Sequence, residues 1–275
     1  MNIYDEPKID CHNHLFDPSN FPYHPQAPYA PAGQEVATLT QFNQVLDAYG
    51  VRHALLVGPN SGYHTDNALL LHALATGHGR FKGIAVVERQ IGLDALAALQ
   101  HQGVVGVAFN PALNGVASMA DAEPLFGKLA ELGMFAQVQV CQDQLLGLQQ
   151  LIERSSVRLL IDHCGRPDAA MGLQQAGFQA LLGLADSGRA WVKLSGVQKF
   201  AEADDLYRQS HDYIRALLER FGPHACVWGS DWPFIRQHAR VDYGPLLKLA
   251  ERLMPDAQVR RQVMWDTPQR LFGFC

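Results

Sequence analysis

Eight short apolar runs recur along the chain, separated by segments whose apolar residues return every three to four positions. The runs are 8–16 (KIDCHNHLF), 53–58 (HALLVG), 81–87 (FKGIAVV), 104–110 (VVGVAFN), 134–140 (MFAQVQV), 157–163 (VRLLIDH), 190–196 (AWVKLSG) and 225–231 (ACVWGSD). Most are apolar throughout, which suits parallel strands covered on both faces. Between them, 65–77 (TDNALLLHALATG), 122–133 (AEPLFGKLAELG) and 143–155 (DQLLGLQQLIERS) have helical spacing. Several of these segments open on Thr or Asp and close on Gly, as helix caps do. Eight strand–helix units in 275 residues predict a (β/α)8 TIM barrel, a single domain over 1–275. A doubly wound open sheet competes, but no GxGxxG or phosphate-binding loop opens a helix.

One stretch breaks this rhythm. Residues 17–35, DPSNFPYHPQAPYAPAGQE, hold five prolines and exclude a regular helix. Following the first strand, this loop is expected to lie over the C-terminal face of the barrel, where long loops serve as lids.

Composition narrows the partners. About 48% of residues are hydrophobic and 18% charged, with a net charge of −5. That balance gives no electrostatic case for nucleic acid. No stretch reaches the length of a membrane span, and MNIYDEPKID carries no apolar run of the kind a signal peptide needs. The five cysteines include no CxxC pair, so reduced thiols in the cytoplasm are expected. Cys164 is read as a small buried hydrophobe facing away from His163.

The candidate chemistry begins in Asp10-x-His12-x-His14. Side chains alternate along a strand, so the three are expected to share a face. Taken alone, HxH is a weak signal. His163 closes the sixth run and Asp231 the eighth, both at carboxyl ends, where barrel active sites assemble. Four convergent His and Asp residues from three strands point to a site. His12, His14 and Asp231 could also hold one Zn²⁺ with an open position. The fifth run offers only Gln137 and Gln139, poor zinc ligands, which argues against a two-metal centre. Asp10 and Asp162 precede the histidines and are expected to orient them.

These residues give the chain a resemblance to the amidohydrolase superfamily, in the branch that includes 2-pyrone-4,6-dicarboxylate and sugar lactonases. It is carried by DCHNHLFDP, FPYHPQAPYAP, YHTDNALLLHALA, FKGIAVV, LIDHCGRPD, VWGSDWP and TPQRLF, from residue 9 to 272. The resemblance implies a lactone hydrolase of aromatic-compound catabolism, a carboxylic-ester hydrolase acting on a small carboxylated lactone. Asp231 would be the general base, and His12, His14 and His163 would stabilise the oxyanion. Tyr29 and Ser61 would contact substrate. No cofactor would be needed, one Zn²⁺ being the alternative.

The chain departs from the branch it resembles at three positions. Ala108 stands where G-x-R-F-N would place an arginine, Lys199 where a second arginine would stand, and Gln139 where a tyrosine would. A dicarboxylate favours the planar guanidinium fork. Arg166 and Lys193 are candidates to compensate, and a lactone with one carboxylate, or a sugar lactone, fits the losses as well. A zinc-dependent decarboxylase is the rival enzyme, and a non-catalytic protein that binds aromatic acids the rival outside enzymes. His24 and His64 fall in loops expected at the carboxyl face.

Overall fold

The computed structural model describes residues 2–275. The strands are β1 (Lys8–Asn13), β2 (Val51–Val57), β3 (Phe81–Ala85), β4 (Val104–Phe109), β5 (Phe135–Val138), β6 (Arg158–Ile161), β7 (Ala190–Leu194) and β8 (Cys226–Trp228). They form one sheet in sequence order, each pairing parallel with the next. The ends meet where Asn13 bridges Trp232. There the Asp231 N–H donates to the His12 carbonyl at 2.7 Å and the His14 N–H to the Trp232 carbonyl at 2.8 Å. This is a (β/α)8 barrel, closed at its carboxyl end by the same backbone that carries the expected catalytic residues.

The strands arise where the apolar runs predict them, each somewhat shorter except β2, which begins two residues earlier, at Val51. Within β1 the register with β2 shifts between Asp10 and Asn13, and pairing resumes at Asn13 opposite Leu56. The Asn13 Nδ2 there donates to the carbonyls of Asp10 and Leu55. Two expected helices appear trimmed, as Ala68–Thr76 and Glu123–Glu131. The run 143–155 divides into a 3-10 turn, Gln144–Leu148, and a short helix, Gln149–Arg154. Gly147 sits in the turn, and glycine costs a helix about 1 kcal/mol relative to alanine.

The apolar residues split into two clusters. One fills the barrel with Ile9, Cys11, Leu55, Ile84, Phe135, Leu160 and Val227, and is plugged by Phe272 and Phe274. The larger one packs the helices against the outside of the strands. Fully burying one such side chain is worth about 1.5–3 kcal/mol. The interior is therefore a packed core. The loop 17–35 is pinned at its base by paired hydrogen bonds between Phe16 and Ala37, at 2.9 and 2.8 Å. Among the described residues, no helix is long and apolar enough to cross a membrane.

Candidate active site

A cavity of about 830 Å³ opens at the carboxyl end of the barrel. His14, His163 and Asp231 line it. His12 lies just beneath, 1% exposed. The three imidazole Nε2 atoms converge on one oxygen: His12, His14 and His163 lie 3.8, 3.9 and 3.7 Å from Asp231 Oδ1. The other oxygen, Oδ2, faces Lys199 Nζ at 3.0 Å and accepts from Gln198 Nε2 at 3.0 Å. Two buried atoms at this centre, His12 Nε2 and Asp231 Oδ1, have no hydrogen-bond partner within the protein. Unsatisfied buried polar groups are costly, so a pair of them facing each other marks a place for a ligand.

Backbone conformation aims these groups. His163 and Asp231 both follow strand ends in left-handed conformation, with φ of 52° and 65°. Each such residue costs about 1–2 kcal/mol, so the surrounding structure must impose it. Two glycines make room. A Cβ on Gly196 would lie 2.2 Å from His163 Nδ1, and one on Gly229 would lie 2.7 Å from His12 Cβ.

The outer nitrogens set what each ring presents to the cavity. His14 Nδ1 faces the Val57 carbonyl at 2.9 Å. A carbonyl only accepts, so Nδ1 carries the proton and Nε2 offers a lone pair. In this tautomer a neutral His14 presents a lone pair, not a donor, to the cavity. His163 Nδ1 faces Ser195 Oγ at 3.0 Å; where that hydroxyl donates, Nε2–H points inward. Burial depresses the pKa of His12 and of His163 well below the ordinary histidine value, with Lys193 adding for His12 and His12 adding for His163. Burial lowers His14 too, against the opposing pull of Asp231. These shifts favour the neutral form of all three imidazoles.

The remaining expectations divide. Tyr29, Ser61, Gln139, Arg166 and Lys199 all border the cavity. Tyr29 and Glu35 place the loop 17–35 at its mouth. Glu35 accepts from the Tyr29 hydroxyl and from the Arg236 N–H, tying that loop to the one after β8. Arg166 borders the cavity, and its buried Nε has no hydrogen-bond partner within the protein. The Lys199 ammonium lies 3.0 Å from Asp231 Oδ2 at the edge of the cavity. Lys193 does not compensate for the missing arginines, since Gln137, Asp162 and His12 surround its ammonium inside the barrel. Asp10 does not share the face of His12 and His14. The register break in β1 turns its carboxylate to the Ser230 and Tyr243 hydroxyls, at 2.6 and 2.9 Å. It still steadies His12 by accepting the His12 backbone N–H at 3.2 Å. Cys164 is buried with its Sγ against the Lys193 carbonyl, held away by a left-handed turn rather than by strand alternation. His24, within the loop 17–35, stacks on His64 with ring centroids 5.4 Å apart.

Sequence reasoning missed Gln198, Ser195 and Glu35. The first two follow β7 in SGVQK, and polar residues just past a barrel strand are the signal that would have found them.

The donor set can be tested against a metal. His12, His14 and Asp231 offer ligand atoms within 4.8 Å of one another, as do His12, Asp162 and His163. Three imidazoles and a carboxylate are zinc donors by type, and they would hold one ion wherever each ring turns a lone pair inward.

A family model described as amidohydrolase matches residues 9–274. The chain belongs to the amidohydrolase family. Within that family it is 32% identical to 4-sulfomuconolactone hydrolase of Rhizobium radiobacter, over 96% of this chain and 89% of that protein. It is 27% identical to 2-pyrone-4,6-dicarboxylate hydrolase of Comamonas testosteroni, with the same coverage of 96% and 89%. A structure from Acinetobacter baumannii, described as a probable 2-pyrone-4,6-dicarboxylic acid hydrolase with citric acid bound, superposes on this amidohydrolase with a TM-score of 0.86 at 28% identity. The match covers 97% of this chain and 99% of that one.

Proposed function

We propose that this amidohydrolase opens a small anionic lactone by direct attack of water. The observation that carries the reading is the convergence of three neutral imidazoles on Asp231 Oδ1, with Oδ2 held by a cation. The similarity to two lactone hydrolases supports the same reaction class.

Asp231 acts as the general base. Water hydrogen-bonds to Asp231 Oδ1 and to the lone pair on His14 Nε2. The base takes one proton as the oxygen attacks the lactone carbonyl. Negative charge grows on the carbonyl oxygen and is met by Nε2–H of His163 and of His12. A preorganised donor of this kind is worth about 3–4 kcal/mol in the transition state. The ring C–O bond then breaks, and Asp231 passes its proton to the departing oxygen, leaving an acid and an enol or alcohol. Lys199 and Gln198 hold the carboxylate in place throughout.

The reading assigns catalysis without a metal. A Zn²⁺ ion, if bound, would be held by His12, His14 and Asp231 and would polarise the carbonyl as a Lewis acid. Arg166, with its free Nε, is assigned to the substrate anion. With Ala108 in place of a second fork, the substrate has one strongly recognised anionic group. A neutral sugar lactone would leave Arg166 without its partner.

The test is turnover by chelator-treated protein of a panel: a monocarboxylated and a sulfonated muconolactone, 2-pyrone-4,6-dicarboxylate and a neutral sugar lactone. Hydrolysis of an anionic lactone without added metal, followed by ultraviolet absorbance, is the expected result. Release of CO2, or activity only with zinc, would overturn it in favour of the decarboxylase.

A further inference from the structure

Lys193 is a fully buried cation on β7 to which the mechanism above gives no task. Its Nζ lies 2.6 Å from Gln137 Oε1, 3.2 Å from Asp162 Oδ1 and 3.1 Å from His12 Nδ1. An ammonium has three N–H donors and no lone pair, and three potential acceptors surround this one. The orientation of Gln137 follows from the network. Its Nε2 donates to Asp162 Oδ2 at 2.9 Å, so its Oε1 faces the lysine. Asp162 supplies the counter-charge.

His12 Nδ1 has two neighbours that ask opposite things of it. Asp162 Oδ1, at 3.2 Å, would accept a proton from it. Lys193, at 3.1 Å, would donate one to it. With Nδ1 as acceptor, all three ammonium N–H bonds are met and Asp162 keeps Lys193 and Gln137 as donors. With Nδ1 as donor, its proton points toward a cation and one buried N–H of Lys193 is orphaned. The first arrangement satisfies Lys193, Gln137 and Asp162 and leaves open only the inward Nε2–H, which faces the centre of the site; the second leaves a buried ammonium N–H unmet as well.

We propose that Lys193 fixes His12 as the Nε2–H tautomer, so that the ring donates to the reacting oxygen and withholds its lone pair from a metal ion. The HxH pair is then split by its surroundings. The Val57 carbonyl makes His14 an inward acceptor, and Lys193 makes His12 an inward donor. A zinc ion would need the lone pairs of both. The inference rests on the lactonase reading only for the use made of the donor. The tautomer and the exclusion of metal are independent of any substrate.

The experiment is long-range proton–nitrogen correlation on the full chain labelled with ¹⁵N-histidine, His12 being identified by loss of its signals in His12→Gln. The expected spectrum has His12 protonated at Nε2 and bare at Nδ1. A proton on Nδ1 in the wild type overturns the proposal, and this reading does not depend on the lysine variant folding. Lys193→Met removes the donor at similar length. It is expected to move the His12 proton to Nδ1, toward Asp162, and to tighten binding of Zn²⁺ about 10–100-fold in calorimetry on chelator-treated protein. An unchanged tautomer or unchanged zinc affinity in the folded variant overturns it. Neither readout uses a lactone. A protein that hydrolyses none of the panel can still show this tautomer, and an active lactonase can still fail here.

Discussion

Lys199 Nζ stands 3.0 Å from Asp231 Oδ2, on the oxygen turned away from the three imidazoles. The two oxygens of one carboxylate therefore have different partners. One is anchored by a cation and an amide, and the other has no partner within the protein. On the proposed reading, this base is held by one oxygen and directed by the bare one toward the proton it takes.

Asp231→Asn keeps the shape of this group and removes its basicity. General-base catalysis contributes about 10²–10⁴ in rate, so kcat should fall by that factor while KM changes little. Initial rates of lactone ring opening, followed by ultraviolet absorbance, check it. A variant retaining wild-type kcat would remove Asp231 from the chemistry.

Gly196→Ala tests the aim of His163. The residue has φ of +60°, and its new Cβ would lie 2.2 Å from His163 Nδ1. Backbone strain of about 1–2 kcal/mol would add to overpacking of about 1–3 kcal/mol. The ring must swing off Ser195, so kcat should drop at least tenfold and the melting temperature by several degrees. Thermal denaturation and steady-state rates measure both. Unaltered rates would mean that His163 tolerates displacement.

The barrel was legible because each strand announces itself twice, as an apolar run and as one of eight repeats. His163 and Asp231 were legible because each sits just past such a run. What stayed hidden depends on contacts across the barrel. The break in β1 that separates Asp10 from His12 comes from pairing with β2. The capture of Lys193 by Gln137, Asp162 and His12 joins four strands or their ends, and no local pattern encodes it. Lys199 could be placed at the cavity from sequence, but its engagement with Asp231 rather than a free anion depends on the turn 197–199 beyond β7.

Stability should fall as the solution is acidified below pH 6.5. Burial lowers the folded pKa of His12, His14 and His163, so each stays neutral where the unfolded chain binds a proton. Between the ordinary value of 6.5 and each depressed folded value, the unfolded state holds more protons. Stability therefore rises with pH across that window and is lost on descending through it. Each histidine adds about 1.4 kcal/mol per pH unit while the window lasts. Asp10, raised by burial, acts with the opposite sign, in a window that begins at its ordinary value of 3.8. Urea midpoints at pH 7.5, 6.5 and 5.5 should fall in that order, and a flat profile would show the imidazoles to be solvated or paired in acid.

Ala108→Arg addresses what the cavity recognises. Ala108 is half-buried on β4, opposite Gln137 in register, and borders the cavity. A guanidinium there would face the substrate with a fork that Arg166 alone does not provide. A hydrogen bond to a charged group is worth about 1.5–3 kcal/mol, or about 10–150-fold in kcat/KM. The gain should appear for 2-pyrone-4,6-dicarboxylate and be absent for a lactone with one anionic group, which has no second carboxylate to offer. The ratio of kcat/KM for the two substrates, in wild type and variant, isolates the effect from any general loss of activity. A ratio that does not move would mean that the second carboxylate is bound elsewhere, with the cations beyond β8, such as Arg236, as the next positions to replace.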